Sequence, residues 1–218
     1  MKTNKIKAVI FDLDGTLLNT IDDLADSANH ILCQLGFPTH STDKYKYFVG
    51  NGIPKLIERC LPADRQDCKE KALRMFLDYY SLHSEDKTAA YEGIPELLSA
   101  AAQKGIKLGV ITNKAHSIAQ QVVPHFLGEG VFDYIRGLDE TIKAKPCPDG
   151  ALDVACKLGV KPDEVLYIGD SGVDMQTAVN AGFTPCGVLW GFRTKEELLE
   201  NGAVYFAEKP SDILNLIK

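Results

Sequence analysis

Residues 8–16, Ala-Val-Ile-Phe-Asp-Leu-Asp-Gly-Thr, decide the fold class of this 218-residue chain. The apolar run from Ala8 to Phe11 is typical of a strand that is buried on both faces of a parallel sheet. Asp12 and Asp14 then lie at the carboxyl end of that strand, where open α/β sheets bind their ligands. Two carboxylates this close repel each other and raise each other's pKa unless a cation neutralises them. The stretch therefore indicates a divalent metal, a nucleophile and an acid/base that act together.

The composition is that of an ordinary globular protein, with 45% hydrophobic and 25% charged residues. The formal net charge of −6 disfavours nucleic acid and anionic membrane surfaces as partners. No apolar run is long enough for a signal peptide or a membrane span, and the six cysteines form no C-x-x-C pair. We therefore expect a cytoplasmic protein with reduced cysteines that acts on a small molecule, with monomer and homodimer both open.

Hydrophobic spacing divides the chain into two kinds of region. Between Ile21 and Tyr80, apolar residues recur at helical spacing and no strand pattern interrupts them. From Glu92 onwards, helices alternate with short apolar strands, which predicts right-handed βαβ units and a doubly wound parallel sheet. We therefore predict an α/β core domain and an all-helical domain inserted into it, which comprise residues 1–18 with 91–218 and residues 19–90, respectively.

Polar clusters lie at the ends of the predicted strands of this core. The strands beyond the insert are predicted at Ile106–Thr112, Tyr134–Ile135, Val165–Ile168 and Cys186–Leu189. Besides Asp12 and Asp14, the clusters are Thr112-Asn113-Lys114, Lys145-Pro146 before a helix, and Gly169-Asp170-Ser171-Gly172-Val173-Asp174. Because the carboxyl ends of parallel strands lie along one edge of a sheet, we expect these side chains to converge on a single cleft.

Each cluster also has a purely structural explanation. Asp-x-Asp-Gly and Gly-Asp-Ser are favoured in turns and helix caps, and Thr-Asn is a common pair at a helix start. A single lysine is usually a solvated surface charge. These explanations have to hold independently at four places, whereas one active site accounts for all four clusters at once.

Phosphoryl transfer requires this combination of groups. A phosphate dianion repels a carboxylate nucleophile, so Mg²⁺ and cationic or hydroxyl donors must offset its charge. Asp12 and Asp170 are the expected side-chain ligands of Mg²⁺, and Asp14 contributes its backbone carbonyl. Asp174 lies one helical turn beyond Asp170, so it completes the shell directly or through water.

Two further donors are predicted to contact the transferred group. Thr112 donates its hydroxyl, and Lys145 neutralises the nucleophile and the phosphate together. Asn113, which lies next to Thr112, is predicted to bind substrate as well.

In this order and at these strand ends, the four clusters resemble the motifs of the haloacid dehalogenase superfamily over essentially the whole chain. The resemblance implies that Asp12 is the nucleophile and becomes an aspartyl phosphate. It implies that Asp14 protonates the leaving alkoxide and then activates the hydrolytic water. The helical insert would be the family's cap, which excludes bulk water. Dehalogenating members lack the second acid, so Asp14 disfavours that activity, whereas sugar-phosphate mutases keep both acids.

Within the inserted region, Val49-Gly50-Asn51-Gly52 followed by Glu58-Arg59-Cys60-Leu61 is similar to the phosphoglycolate phosphatase branch. In that branch the corresponding loop helps to choose the substrate, so Gly50, Asn51 and Gly52 are predicted substrate-binding residues; a flexible linker is the structural alternative. The resemblance implies a Mg²⁺-dependent phosphatase of a small phosphate ester, 2-phosphoglycolate. The alternatives are a pyrophosphatase, nucleotidase or sugar phosphatase, a mutase such as β-phosphoglucomutase, and a non-catalytic receiver-type switch.

Overall fold

The computed structural model of the protein describes residues 5–217, which form two compact units. Of the described residues, the sheet unit contains those up to Leu18 and from Ala90 onwards, and the helical unit is Asn19–Ala89. Each unit thus has its own set of internal contacts, and the chain passes from one to the other twice. The division falls where the first apolar strand and its aspartate loop end.

The helical unit is built from amphipathic helices. They are Ile21–Gln34 (α1), Thr42–Phe48 (α2), Ile53–Cys60 (α3) and Lys69–His83 (α4), with a 3-10 segment at Ala63–Cys68. In α1, Ala28, Ile31 and Leu32 are buried, and α1 packs against α2 and α4. Phe76 and Tyr80 of α4 are buried with their ring centroids 5.2 Å apart. The spacing of three and four residues gives each helix one apolar face, which is what drives these segments to be helical.

The sheet unit contains a six-stranded sheet in which every neighbouring pair is parallel. The strands of the protein are Ala8–Phe11 (β1), Leu18–Asn19 (β2), Ala89–Ala90 (β3), Lys107–Ala115 (β4), Tyr134–Leu138 (β5), Val165–Gly169 (β6), Thr184–Val188 (β7) and Tyr205–Ala207 (β8). The large sheet has the order β5-β4-β1-β6-β7-β8, whereas the short strands β2 and β3 pair with each other in a second sheet. Phe11 lies opposite Val110 of β4 and Ile168 of β6. The carboxyl ends of β1, β4 and β6 are therefore neighbours.

Helices cover both faces of this sheet. They are Ile94–Gln103 (α5), His116–Leu127 (α6), Asp149–Leu158 (α7), Gly172–Ala181 (α8), Lys195–Glu200 (α9) and Pro210–Ile213 (α10). Val9 and Phe11 belong to one apolar cluster, which includes residues of α5 and α6. Ala8 and Ile10 belong to the opposite cluster, which includes residues of α7 and α8. Because successive side chains of a strand point to opposite faces, β1 needs four apolar residues in a row.

The predicted fold class is confirmed: a mostly parallel sheet is flanked by helices in an α/β fold. The strand β4 extends to Ala115, three residues beyond its predicted end at Thr112. The short elements β8 and α10 were not predicted, because three and four residues are too few to show a hydrophobic period. Within residues 5–217, no helix is both long enough and apolar enough to cross a membrane.

Candidate active site

The carboxyl edge of the sheet unit carries the predicted catalytic residues. Asp12 directly follows β1, Thr112 lies in the last part of β4, and Asp170 directly follows β6. Lys145 lies in the segment between β5 and α7, and Asp174 lies in the first turn of α8. The structure brings the side chains of Asp12, Lys145, Asp170 and Asp174 together, as the order of β4, β1 and β6 in the sheet requires.

Lys145 is the centre of the buried charge network at this edge. Its Nζ donates to Asp12 Oδ1 at 2.6 Å and to Asp174 Oδ1 at 2.7 Å. The hydroxyl of Tyr167, on β6, donates to the same oxygen of Asp174 at 3.2 Å. The side chain of Lys145 is only 4% exposed, so these contacts act with little screening by water. A lysine in this position is therefore not a solvated surface charge.

Three carboxylates in this network are arranged as cation ligands. Asp12, Asp170 and Asp174 each offer an oxygen, and these oxygens lie within 4.8 Å of one another. Lys145 donates to Asp12 Oδ1, and the backbone N–H of Phe192 donates to Asp170 Oδ2. One ammonium faces three carboxylates, and carboxylate oxygens are the ligands that hard divalent cations prefer. The donor set therefore fits a divalent metal ion.

The electrostatics of these groups show the same excess of negative charge. Burial raises the pKa of Asp12 well above its usual value, and repulsion from Asp174 adds to the rise although Lys145 opposes it. Burial, followed by repulsion from Asp174, raises the pKa of Asp170 to about 7. Burial alone would lower the pKa of Lys145, but attraction to Asp12 and Asp174 raises it well above its usual value. A bound divalent cation would lower the pKa of both carboxyl groups.

Close backbone packing fixes the orientation of Asp170. Gly15 has a φ of +87°, and a Cβ at this position would overlap the Asp170 carboxylate. A Cβ at Gly191 would overlap Asp170 Cβ. The backbone N–H of Phe192 donates to Asp170 Oδ2 at 2.7 Å. Glycine is therefore required after Asp14 both for the left-handed turn and for the space that Asp170 occupies.

Asp174 takes part in the N-terminal cap of α8. Ser171 is the N-cap of α8: its hydroxyl donates to Asp174 Oδ2 at 2.5 Å, and its backbone N–H donates to the same oxygen at 3.1 Å. This reciprocal capping box holds the carboxylate at the start of the helix. The other oxygen of Asp174 then faces Lys145, so helix capping orients a residue of the charge network.

The side chain of Asn113, which the sequence predicts to bind substrate, bonds to the backbone of the loop that carries Lys145. Asn113 Oδ1 accepts a hydrogen bond from the backbone N–H of Lys145 at 2.8 Å, and Nδ2 donates to the carbonyl of Lys145 at 3.4 Å. Asn180 of α8 donates to the carbonyl of the next residue, Pro146, at 2.9 Å. Through these hydrogen bonds, β4 and α8 hold the loop that contains Lys145. Thr112 Oγ1 accepts from the backbone N–H of Lys114 at 3.1 Å.

Asp14 lies beside a cation that was not predicted as a site residue. Lys114 Nζ is 3.0 Å from Asp14 Oδ1, and the two side chains are 4% and 20% exposed, respectively. The carboxylate of Asp14 does not belong to the three-carboxylate group among the residues that the structure describes. The available signal was the position of Lys114 at the end of β4, two residues after Thr112. Tyr167 was also missed, because it reads as an apolar strand residue.

Gly50, Asn51 and Gly52 lie in the helical unit, in the connection between α2 and α3. Gly50 and Gly52 have φ values of +102° and +83°, which favour glycine. Arg59 of α3 donates to Asn51 Oδ1 at 2.9 Å and to the carbonyl of Phe48 at 2.9 Å. The connection is therefore held by specific hydrogen bonds, which a plain flexible linker would not need.

Comparisons with known proteins identify the family of the chain. The model for the haloacid dehalogenase-like hydrolase family matches residues 9–188. Phosphoglycolate phosphatases from Thiobacillus denitrificans and Pseudomonas putida are 35% and 32% identical, over 89% and 96% of this chain and 88% and 76% of their own lengths. An N-acetylmuramic acid 6-phosphate phosphatase from Pseudomonas aeruginosa is 29% identical, over 100% of this chain and 97% of its own. A crystal structure assigned as a phosphoglycolate phosphatase, from Lactobacillus delbrueckii subsp. bulgaricus, has a TM-score of 0.92 and 31% identity, with 98% of both chains covered.

Proposed function

Because the chain belongs to the haloacid dehalogenase-like hydrolase family, we propose that it hydrolyses 2-phosphoglycolate with Mg²⁺ through an aspartyl-phosphate intermediate. The chain is a phosphatase of that family, a phosphoric monoester hydrolase. The observation that carries the proposal is the contact of one buried ammonium, Lys145, with Asp12 and Asp174 beside Asp170. A nucleophilic carboxylate, a cation and metal ligands are thereby within reach of one phosphate group.

In this proposal, Asp12, Asp170 and Asp174 hold the metal ion together with the backbone carbonyl of Asp14. When bound, Mg²⁺ supplies positive charge that offsets the charge of the phosphate oxygens. Lys145 favours the ionised form of Asp12, which burial and Asp174 oppose, and it contributes a second positive charge near the transferred group. The hydroxyl of Thr112 donates to a phosphate oxygen.

The first chemical step transfers the phosphoryl group to the protein. An oxygen of Asp12 forms a bond to phosphorus while the bond between phosphorus and the ester oxygen breaks. Asp14 gives its proton to that oxygen, so the alcohol leaves neutral and Asp14 becomes a carboxylate. Lys114, at 3.0 Å from Asp14, stabilises this carboxylate after the proton has left.

The second step releases phosphate. Asp14 takes a proton from a water molecule, whose oxygen forms a bond to phosphorus, and the bond between phosphorus and Asp12 breaks. Asp12 regains its carboxylate and Asp14 its proton, so the enzyme returns to its starting state. The overall reaction is one phosphate ester and one water converted to one alcohol and one phosphate.

The choice of 2-phosphoglycolate is supported by the names of the relatives and by the segment Val49–Gly52, in which Gly50, Asn51 and Gly52 are the proposed substrate-binding residues. The relative from Pseudomonas aeruginosa acts, by its name, on a phosphorylated amino sugar. A substrate of that class is therefore the second candidate.

A phosphate-release screen with and without Mg²⁺ tests the proposal. The panel contains 2-phosphoglycolate, N-acetylmuramic acid 6-phosphate, glucose 1-phosphate, pyrophosphate and a nucleoside monophosphate. We expect Mg²⁺-dependent release with the highest kcat/KM for 2-phosphoglycolate. A flat profile across the panel would contradict the substrate, and conversion of glucose 1-phosphate without phosphate release would indicate a mutase. Absence of turnover with every ester of the panel would contradict the proposed function.

A further inference from the structure

We propose that Lys114 binds a carboxylate on the leaving group and so determines specificity for the esters of hydroxy acids. The inference rests on the proposed function and adds to it a recognition residue and a substrate class. That class is phosphate monoesters whose leaving alcohol carries a carboxylate one carbon away from the ester oxygen.

The position of Lys114 is unusual for a lysine. Its side chain is 4% exposed, although lysine is almost never fully buried without a specific partner. The residue lies in β4, which runs three residues beyond the predicted end of the strand and therefore projects Thr112, Asn113 and Lys114 at the carboxyl edge. Burial of an ammonium costs free energy unless anionic groups surround it, so the site is built to hold negative charge near Nζ.

The contact with Asp14 shows where the ammonium of Lys114 lies relative to the reacting ester. Asp14 protonates the ester oxygen, so this oxygen must lie within hydrogen-bond reach of Asp14. Lys114 Nζ is 3.0 Å from Asp14 Oδ1 and therefore lies next to the leaving group rather than next to the transferred phosphate. In 2-phosphoglycolate a single carbon separates the ester oxygen from the carboxylate. The two groups can thus contact Asp14 and Lys114, respectively, at the same time.

The two buried lysines of the site then have separate tasks. Lys145 donates to Asp12 and Asp174, on the side of the nucleophile and the metal ligands. Lys114 is at the acid, on the side of the leaving group. An ammonium has three N–H donors, so the bond of Lys114 to Asp14 does not by itself prevent donation to a substrate carboxylate. If Lys114 served only to orient Asp14, its loss would affect every ester to the same extent.

The test compares two esters of nearly equal size. Wild type and Lys114→Met are assayed with Mg²⁺ on 2-phosphoglycolate and on 2-hydroxyethyl phosphate, in which a hydroxymethyl group replaces the carboxylate. We expect Lys114→Met to lower kcat/KM for 2-phosphoglycolate at least about tenfold more than for 2-hydroxyethyl phosphate, as the loss of a charge-assisted hydrogen bond predicts. Lys107→Met is the matched control, because Lys107 lies at the other end of β4 with its side chain 54% exposed. Its ratio between the two esters should equal that of wild type.

A second measurement uses unmodified protein, in case Lys114→Met does not fold. Glycolate should inhibit the wild type at concentrations at least about tenfold below those of ethylene glycol, because only glycolate carries the carboxylate that pairs with an ammonium. Equal inhibition, or an equal fall of kcat/KM for both esters in Lys114→Met, would overturn the assignment of Lys114 and leave the phosphatase intact. Absence of turnover on every ester would instead contradict the proposed function.

Discussion

The carboxyl edge of the sheet unit and the Gly50–Gly52 loop of the helical unit hold their residues in different ways. At the edge, Lys145 and its carboxylate partners are buried and bond directly to one another. In the loop, Arg59 bonds to Asn51 and to the backbone of Phe48 at a half-buried position. When one charged side chain of a buried network is removed, water cannot take its place beside the remaining charges. Near the surface, water replaces the lost partner. Substitutions at the edge should therefore change both stability and catalysis, and those in the loop should change neither greatly.

The largest effect is expected for Asp12→Asn. The amide cannot form the phosphoryl bond, so turnover of an aryl phosphate with Mg²⁺ should fall by at least about 1000-fold, as for other enzyme nucleophiles. Phosphate release measures the loss, and circular dichroism checks the fold. Asp43→Asn, at a helical-unit carboxylate whose side chain is 85% exposed, should retain wild-type turnover. Wild-type rates in Asp12→Asn would show that another residue is the nucleophile.

The same change in each unit tests the difference in stability. Lys145→Met leaves Asp12 and Asp174 without their shared cation and should reduce the free energy of unfolding by about 3–5 kcal/mol in the absence of metal. Lys69→Met removes a contact to Glu58 in which both side chains are 36% exposed, and it should leave the urea midpoint nearly unchanged. Urea unfolding in EDTA measures both. Equal losses would contradict the distinction between the units.

The protonation of Asp170 makes the stability of the metal-free protein depend on pH. Its pKa is raised to about 7 by burial and by Asp174, so the folded metal-free protein binds this proton more tightly than the unfolded chain does. The associated stability is full below about pH 4 and is lost as the pH rises through about 7. Thermal melts in EDTA at pH 5 and pH 8 should show wild type losing on the order of 5 °C more than Asp170→Asn. Parallel pH profiles would refute the assignment.

Two substitutions of Asn113 distinguish a role in positioning Lys145 from a direct contact with substrate. Asn113→Ala removes the acceptor for the backbone N–H of Lys145, and kcat should fall about tenfold. Asn113→Asp keeps that acceptor and should retain more activity than the alanine variant. If the side-chain amide instead donated to phosphate, the aspartate would repel the substrate and would be the worse of the two.

The smallest effect is expected at the loop of the helical unit. Arg59→Met removes the bonds to Asn51 and Phe48, which should raise KM for 2-phosphoglycolate by about threefold and leave kcat unchanged. Steady-state kinetics measure both constants. Arg74→Met, at an exposed position of α4, is the matched control and should change neither. A large fall in kcat for Arg59→Met would give the loop a catalytic role.

Much of the candidate site could be predicted because its residues follow strands directly. Asp12 and Asp170 each come immediately after an apolar strand, and the parallel order of those strands brings their carboxylates together. The bonds made by Asn113 and Lys114 were not predictable in this way. Asn113 bonds to a backbone 32 residues away, and Lys114 bonds to a side chain 100 residues away. No local pattern reports on pairs so distant in the chain.

By itself, the amino-acid sequence determined the alternation of helices and strands, the place of the helical insert and the residues at the strand ends. Hydrophobic period and turn chemistry are local properties, so they can be read from neighbouring residues. Only the tertiary structure decided that β4 continues to Ala115, that Asn113 supports Lys145 and that Lys114 lies beside Asp14. These contacts depend on strand register and on distances of about 3 Å, which the packing of the whole sheet unit sets.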